Sequence, residues 1–271
     1  MMRRRKKDQR DERRPPRVRP AQPPPAAEAP SARRRPRRDA PVPEALRIRS
    51  EAALAREAAP SPRGGVVLVT GFEPFGGETV NPSWEIVRAL PDAISGHRVE
   101  RLLVPTEFGR SIEVTTRAID KVKPDLVLCL GQAGGRSRMS VERVAINIDD
   151  ARIADNAGMQ PHDQSIRAGG PPAHFCTLPV KAMVAAMTAA GIPSEVSNSA
   201  GTFVCNHLIY GVLHHIAAKG LAARAGFMHV PFAEAQVLDR PDVPAMSLAS
   251  MVEGAKAAII AAIHNRKELR R

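Results

Sequence analysis

Cys205 is where chemistry is sought first in this chain. In the stretch "AGTFVCNHLIYGVLHHIAAKG", Ala200 to Gly220, small residues precede an amphipathic run, and the thiol falls in its first turn. A helix start carries the positive end of the macrodipole and N–H groups without intrahelical partners, and both lower a thiol pKa from its usual value of about 8.5. The other cysteines lack this setting. Cys129 lies inside an apolar strand pattern and Cys176 in a loop segment, so both read as small buried residues.

A nucleophilic cysteine needs a base, and the chain offers eight histidines. His207 follows Cys205 by two positions and so lies on a different side of the helix. His214 and His215 fall further down the same helix. His229, in "GFMHVPF", sits near the end of a strand among apolar neighbours. An imidazole in that role is oriented by a third group on its other nitrogen. Glu142, a carboxylate inside the apolar run "SVERVAIN", could be that group; taken alone it reads equally as half of an ion pair with Arg143 or Arg152. Residue types and spacing leave these roles open.

The elements that must position such residues begin at Val66. "VVLVTGF" and "DLVLCLGQAGG" are continuous apolar runs ended by glycine, the pattern of strands buried on both faces. "HRVERLLVP" and "AGFMHVPF" read as further strands, "SEVSNS" as a short one, and "MSVERVAINI" as one strand with an exposed side. Between them lie helices. "NPSWEIVRAL" has Asn81 as cap and Pro82 at the first helical position. "RSIEVTTRAIDKVKP" is closed by Pro124, "PVKAMVAAMTAAG" ends at Gly191, and a terminal helix is capped by Ser247. Residues 151–175 form a long polar loop of the kind that usually serves function. Strands alternating with helices predict an α/β fold of three layers: an open, mainly parallel twisted sheet with helices on both faces. Ligands of such sheets sit at the carboxyl ends of the strands, so the loops after "VVLVT", "LVLCL" and "GFMHV" and before Cys205 are where a site is expected.

Charge divides the chain in two. Residues 1–64 hold 19 of the 40 Lys+Arg and 8 of the 28 Asp+Glu, which leaves 21 basic against 20 acidic residues in the rest. Of the net charge of +12, +11 therefore belongs to the N-terminal segment, and a basic nucleic-acid face on the folded part is not supported. That segment also carries 12 of the 25 prolines, so residues 1–63 are expected to be a disordered Arg/Pro-rich extension and 64–271 the α/β domain. Contact of the arm with a polyanion stays open. No apolar run approaches membrane-spanning length, and the Arg-rich start is not followed by the core of a secretory signal. Three widely spaced cysteines form neither a disulfide framework nor a zinc pattern, which suits a reducing, cytoplasmic setting.

Several blocks taken in order are more specific than any one residue. "VLVTGFEPFGGETVNPSWE", "GQAGGR", "ERVAIN", "DARIADN", "AGTFVCNHLIYG" and "GFMHVPF" together resemble the type I pyroglutamyl peptidases (pyrrolidone-carboxylate peptidases), from about Val66 to the last helix. The resemblance implies a cysteine exopeptidase of the omega type. Its substrates would be peptides with an N-terminal pyroglutamate, cleaved through a thioester, with no metal or other cofactor. It implies a catalytic set of Cys205, His229 and Glu142, with Arg152 supporting the site geometry or the oxyanion. Phe72, Phe75, Ile153, Phe203 and Val204 would receive the pyrrolidone ring, and Asn81 and Gln132 would fix its polar edge and the surrounding loop. A dimer or tetramer is implied as well. Ala154 stands where the family commonly has proline, which predicts a less rigid loop after Arg152. An uncharged lactam calls for an apolar pocket with few polar groups and no acidic anchor. Two other readings stay open: a thiol amidase or deamidase acting on a different small amide, and a binding protein that uses the Arg-rich arm and keeps a vestigial site.

Overall fold

A computed structural model describes residues 64–265. The expectations for residues 1–63 and for the chain after Asn265 lie outside the described residues. The strands are β1 (Val66–Phe72), β2 (Ala93–Ile94), β3 (His97–Val104), β4 (Leu126–Gln132), β5 (Met139–Glu142), β8 (Ser194–Ser197) and β9 (Arg224–Val230), joined in one sheet of order β2-β3-β1-β4-β9-β5-β8. The central strands β3, β1, β4 and β9 run parallel, whereas β5 pairs antiparallel with β9 and parallel with β8.

The pleat divides each apolar strand between two cores. Val67, Val69, Leu128, Leu130, Met228 and Val230 face α1 (Pro82–Ala89), α3 (Val180–Ala189) and α5 (Leu248–His264). Their alternates Leu68, Val127, Cys129 and Phe227 face α2 (Arg110–Val122) and α4 (Val204–Ala218). Helices therefore cover both sides, and the three-layer fold expected from the alternation is the one observed.

Local signals explain most boundaries. Asn81 caps α1, its Oδ1 accepting from the Ser83 N–H at 3.1 Å, with Pro82 opening the helix. Ser247 caps α5 by accepting from the Ser250 N–H at 3.1 Å. α2 ends at Lys123, which takes the left-handed conformation directly before Pro124.

One expected strand is corrected. "MSVERVAINI" breaks at Arg143: β5 stays in the main sheet, and β6 (Val144–Ile146) leaves it to pair with β7 (Ala173–Phe175). The alternation slips there, with Glu142 and Arg143 polar in succession, and the two halves find different partners. β10 (Phe232–Ala233) pairs with β11 (Ala245–Met246), and a 3-10 helix, Glu234–Gln236, follows β10 directly. Among the described residues no helix is long and apolar enough to cross a membrane.

Candidate active site

A cavity of about 580 Å³ opens at the carboxyl edge of β4 and β9, a volume ordinary for a small-molecule site. Loops after β1, β4 and β9 and the segment leading into α4 supply its walls, as the fold class predicts. Cys205 and His229 both line it.

The sheet register brings these side chains to one face. His229 on β9 lies beside Gly131 on β4 and opposite Ser140 on β5, one pleat along from Glu142. Glu142 reaches diagonally across to His229, its Oε1 lying 2.7 Å from Nδ1. Both groups are buried. With Nδ1 committed to the carboxylate, Nε2 is the nitrogen left for the cavity. Cys205 enters from above, as the second residue of α4. Its Sγ occupies space beside Gly131 that any other residue would fill, since a Cβ there would lie 3.0 Å from the sulfur and 2.6 Å from the Phe227 ring. The glycine is required by that close approach. The start of α4 at Phe203 has no side-chain cap, so its first-turn N–H groups remain available to a ligand.

Arg136, in the loop after β4, shares the site. Its guanidinium donates to the same Glu142 oxygen at 2.9 Å. The partner of Glu142 is therefore neither Arg143 nor Arg152. Burial opposes charge on Glu142, but the His229 hydrogen bond, Ser197 and Arg136 outweigh it and hold the carboxyl below its usual range. Burial pushes the His229 imidazole down. Glu142 pulls it back up only in part, and Arg136 adds to the lowering, so it titrates below its ordinary 6.5.

The thiol departs from expectation. Burial pushes Cys205 up to about 12, with the Glu142 charge adding to the rise and Arg136 opposing it. The helix start does not compensate for a sulfur desolvated among Gly131, Phe227 and a nearby carboxylate. Both shifts favour the uncharged forms, a thiol and an imidazole, at a Cys205 that is itself only part-buried in the cavity wall. Burial also pushes Cys129 and Cys176 to about 12, and neither lines the cavity.

The expected ring pocket is placed in part. Phe75, Ile153, Phe203 and Gln132 line the cavity, with Phe75 and Phe203 in ring contact at 5.9 Å. Phe72, Val204 and Asn81 are buried behind the wall. Phe72 is turned by the pleat against Phe227, and Val204 sits in the α4-side core. Asn81 spends both ends of its amide on its own loop, donating to the Glu73 carbonyl and accepting from Ser83. Arg152 is exposed at the cavity rim.

Acids are nevertheless present in the cavity wall. Glu73 is not in the wall, but Glu78 and Asp150 are. Glu78 is paired with Arg240 at 3.2 Å, and Asp150 is exposed. Nor is the loop after Arg152 loose despite Ala154. The buried Asp155 carboxylate accepts from the backbone N–H groups of Phe108, Ala157 and Met159 at 2.7–2.9 Å.

Sequence reasoning missed Arg136, Phe232 and the Glu78–Arg240 pair. All but Arg240 stood inside recognised blocks, Arg136 in "GQAGGR", Phe232 at the end of "GFMHVPF" and Glu78 in "VLVTGFEPFGGETVNPSWE", but nothing in those blocks marked them as lining a site. The helix α4 histidines are engaged elsewhere: His207 with Asp149 and Gly109, His214 with His174, His215 with Asp120. Among the described residues no cluster suits a metal ion.

An open α/β sheet that brings a cysteine and a carboxylate-held histidine to one cleft has the layout of a thiol hydrolase. Comparison with known proteins narrows this class. A model of the pyroglutamyl peptidase family matches residues 66–265. Pyrrolidone-carboxylate peptidase 1 of Ralstonia nicotianae is 52% identical over 205 residues, covering 75% of this chain and 95% of that protein. Its namesake from Caldanaerobacter subterraneus subsp. tengcongensis is 53% identical over 193 residues, 71% and 95% of the two chains. Among solved structures, pyroglutamyl peptidase I of Bacillus amyloliquefaciens superposes with a TM-score of 0.73 at 44% identity, covering 76% of this chain and all of that one. Pyrrolidone carboxyl peptidase of Pyrococcus furiosus gives 0.70 at 42% identity, covering 73% and 98%. The chain belongs to the pyroglutamyl peptidase family.

Proposed function

We propose that this enzyme hydrolyses the amide bond after an N-terminal pyroglutamyl residue, with Cys205 as nucleophile, His229 as general base and acid, and Glu142 as the group that orients His229. The observation that carries the reading is the 2.7 Å contact between Glu142 Oε1 and His229 Nδ1, with Cys205 and His229 opening on one cavity. Family membership supports the substrate class.

Burial favours the uncharged thiol and imidazole, and the first step is a proton transfer. His229 Nε2 takes the Cys205 proton as the sulfur attacks the pyroglutamyl carbonyl carbon. The carbonyl oxygen becomes an oxyanion, which receives hydrogen bonds from the first-turn N–H groups of α4, with Arg152 supplying positive charge at the rim. Glu142 stabilises the imidazolium. The C–N bond then breaks, His229 returns its proton to the leaving amine, and a thioester to Cys205 remains. Water gives a proton to His229 and attacks the thioester. The C–S bond breaks, free pyroglutamate leaves, and the proton returns to the sulfur. The ring is received by Phe75, Ile153 and Phe203, with Gln132 at its polar edge. Phe72, Val204 and Asn81 act from behind this wall by holding its shape.

The decisive experiment is Cys205→Ala with a pyroglutamyl-linked amine reporter. Release should fall to background with the circular dichroism unchanged, and full activity would reject the mechanism. Parallel prolyl and glutaminyl reporters should stay uncleaved by wild type; cleavage of either would favour an amidase of other specificity.

We further propose that residues 64–271 form the peptidase domain and that the 1–63 arm is dispensable for catalysis, so deleting the arm should leave kcat/KM unchanged. Three free thiols suit a reducing compartment, and we place the enzyme in the cytoplasm. A dimer or tetramer is the assembly expected, to be checked by sedimentation.

A further inference from the structure

Gln236 lies off the cavity, on the 3-10 helix after β10, yet it is buried and all its amide atoms are engaged. Its Oε1 accepts from the Ala233 N–H at 2.9 Å. The two hydrogens of its Nε2 are shared among three acceptors, Gln132 Oε1 at 3.0 Å, Glu78 Oε2 at 3.1 Å and the Val80 carbonyl at 3.3 Å, of which Gln132 is the nearest. Two of these partners allow no choice. A backbone N–H can only donate and a backbone carbonyl can only accept, so the Gln236 amide has one permitted orientation. Reversed, it would set NH₂ against N–H and oxygen against oxygen. The Arg240 guanidinium closes the arrangement, donating to the Gln236 carbonyl and to Glu78 and lying over the Phe232 ring at 4.9 Å.

The fixed polarity passes to the next amide. Because Gln236 presents a donor, Gln132 must present its oxygen in return, and its own NH₂ is left for the cavity. The wall at Gln132 is thereby a donor wall. We propose that Gln236 is a positioning residue for substrate specificity: it holds the Gln132 amide so that its N–H groups meet the lactam carbonyl of the substrate, and it excludes rings that lack a carbonyl at that edge. This rests on the pyroglutamyl reading above and names the device that enforces it. A free glutamine could offer either end and would discriminate less, since a buried amide satisfied in both orientations rejects nothing.

Two variants test it. Gln236→Met keeps the volume and removes the amide. The swapped pair Glu78→Gln with Gln236→Glu conserves composition and charge but leaves only acceptors at 236, so Gln132 must turn its oxygen to the cavity. Binding of 2-pyrrolidone, a lactam with no scissile bond, is read from its protection of Cys205 against iodoacetamide. Protection should weaken about 10- to 100-fold in both variants, more in the swap, while the unprotected alkylation rate stays at the wild-type value. KM for the pyroglutamyl reporter should rise with little change in kcat. Gln132→Met should lose the same factor, and adding Gln236→Met to it should cost nothing further, because one acts through the other.

Wild-type lactam affinity in both variants, additive losses in the double variant, or alkylation falling in step with affinity would each overturn the proposal. Failure of wild type to cleave the reporter would instead reject the peptidase reading, and the protection assay separates the two because it needs no turnover.

Discussion

Gly131 and Cys205 share one volume: the Cβ that Gly131 lacks would stand 3.0 Å from the sulfur and closer still to the Phe227 ring. The strand next to His229 is thus hollowed at one residue to admit the thiol. Gly131→Ala should push both neighbours aside. We expect kcat/KM to fall about 100-fold, as small displacements of reacting groups do, with a loss of ~1–3 kcal/mol in stability from overpacking. Steady-state kinetics beside urea unfolding would check this, and a variant with normal turnover would mean the sulfur does not need that space.

A pair that rests as thiol and imidazole, as the direction of both shifts favours, has a kinetic signature. With the thiol pushed to about 12, thiolate grows with pH through the whole neutral range. The rate of iodoacetamide alkylation at Cys205 should therefore climb steadily past pH 9. A plateau between pH 6 and 8 would reveal a preformed thiolate–imidazolium pair instead. Label should be found on Cys205 and not on the buried Cys129 or Cys176, which mass spectrometry of the peptides can decide.

The acid side reports His229. Its pKa is lowered, so the base stays neutral and competent below its ordinary 6.5, and the acid limb of kcat/KM should lie under that value. Arg136 contributes to the lowering. Replacing it by methionine should let the imidazole titrate higher and move the acid limb toward neutral pH, a shift visible in a profile from pH 4 to 9. An unmoved limb would show that Arg136 does not act on the pair.

His207, two residues from Cys205, is tied down by its own hydrogen bonds. Its Nε2 accepts from the Gly109 N–H at 2.8 Å, so Nδ1 carries the proton that meets the Asp149 carboxylate at 2.7 Å. His207→Leu would strand a buried carboxylate and a backbone N–H. We expect a loss of about 2–4 kcal/mol, read as a lower denaturation midpoint.

The layers were legible in the sequence, and the three groups proposed to react could be named from it, for identifiable reasons. β1, β4 and β9 are buried on both faces, so their apolar runs are continuous, and Cys205, His229 and Glu142 sit in long recognisable blocks. What it concealed depends on pairing across distance. Two polar residues in succession, Glu142 and Arg143, mark the break in that run, but not where its second half will pair. Arg136 looks like one more arginine in a Gly/Ser loop until Glu142 is folded over it. Gln236 meets residues 104 and 158 positions away, and no local pattern marks such contacts. A motif also cannot say which of its apolar members face a ligand. Phe72 and Phe203 stand alike in their blocks, but Phe72 is turned by the strand pleat into the core.

Asn206 follows Cys205 directly, and its amide grips the backbone just past Glu142, accepting from the Ile146 N–H and donating to the Ile146 and Ile148 carbonyls at 2.9–3.0 Å. One side chain thereby rivets the sulfur-bearing turn to the segment that carries the carboxylate. Anyone transplanting this chemistry to another scaffold must therefore move β5, β6 and the opening of α4 as a single cassette, since grafting the reactive side chains alone would leave their spacing unset.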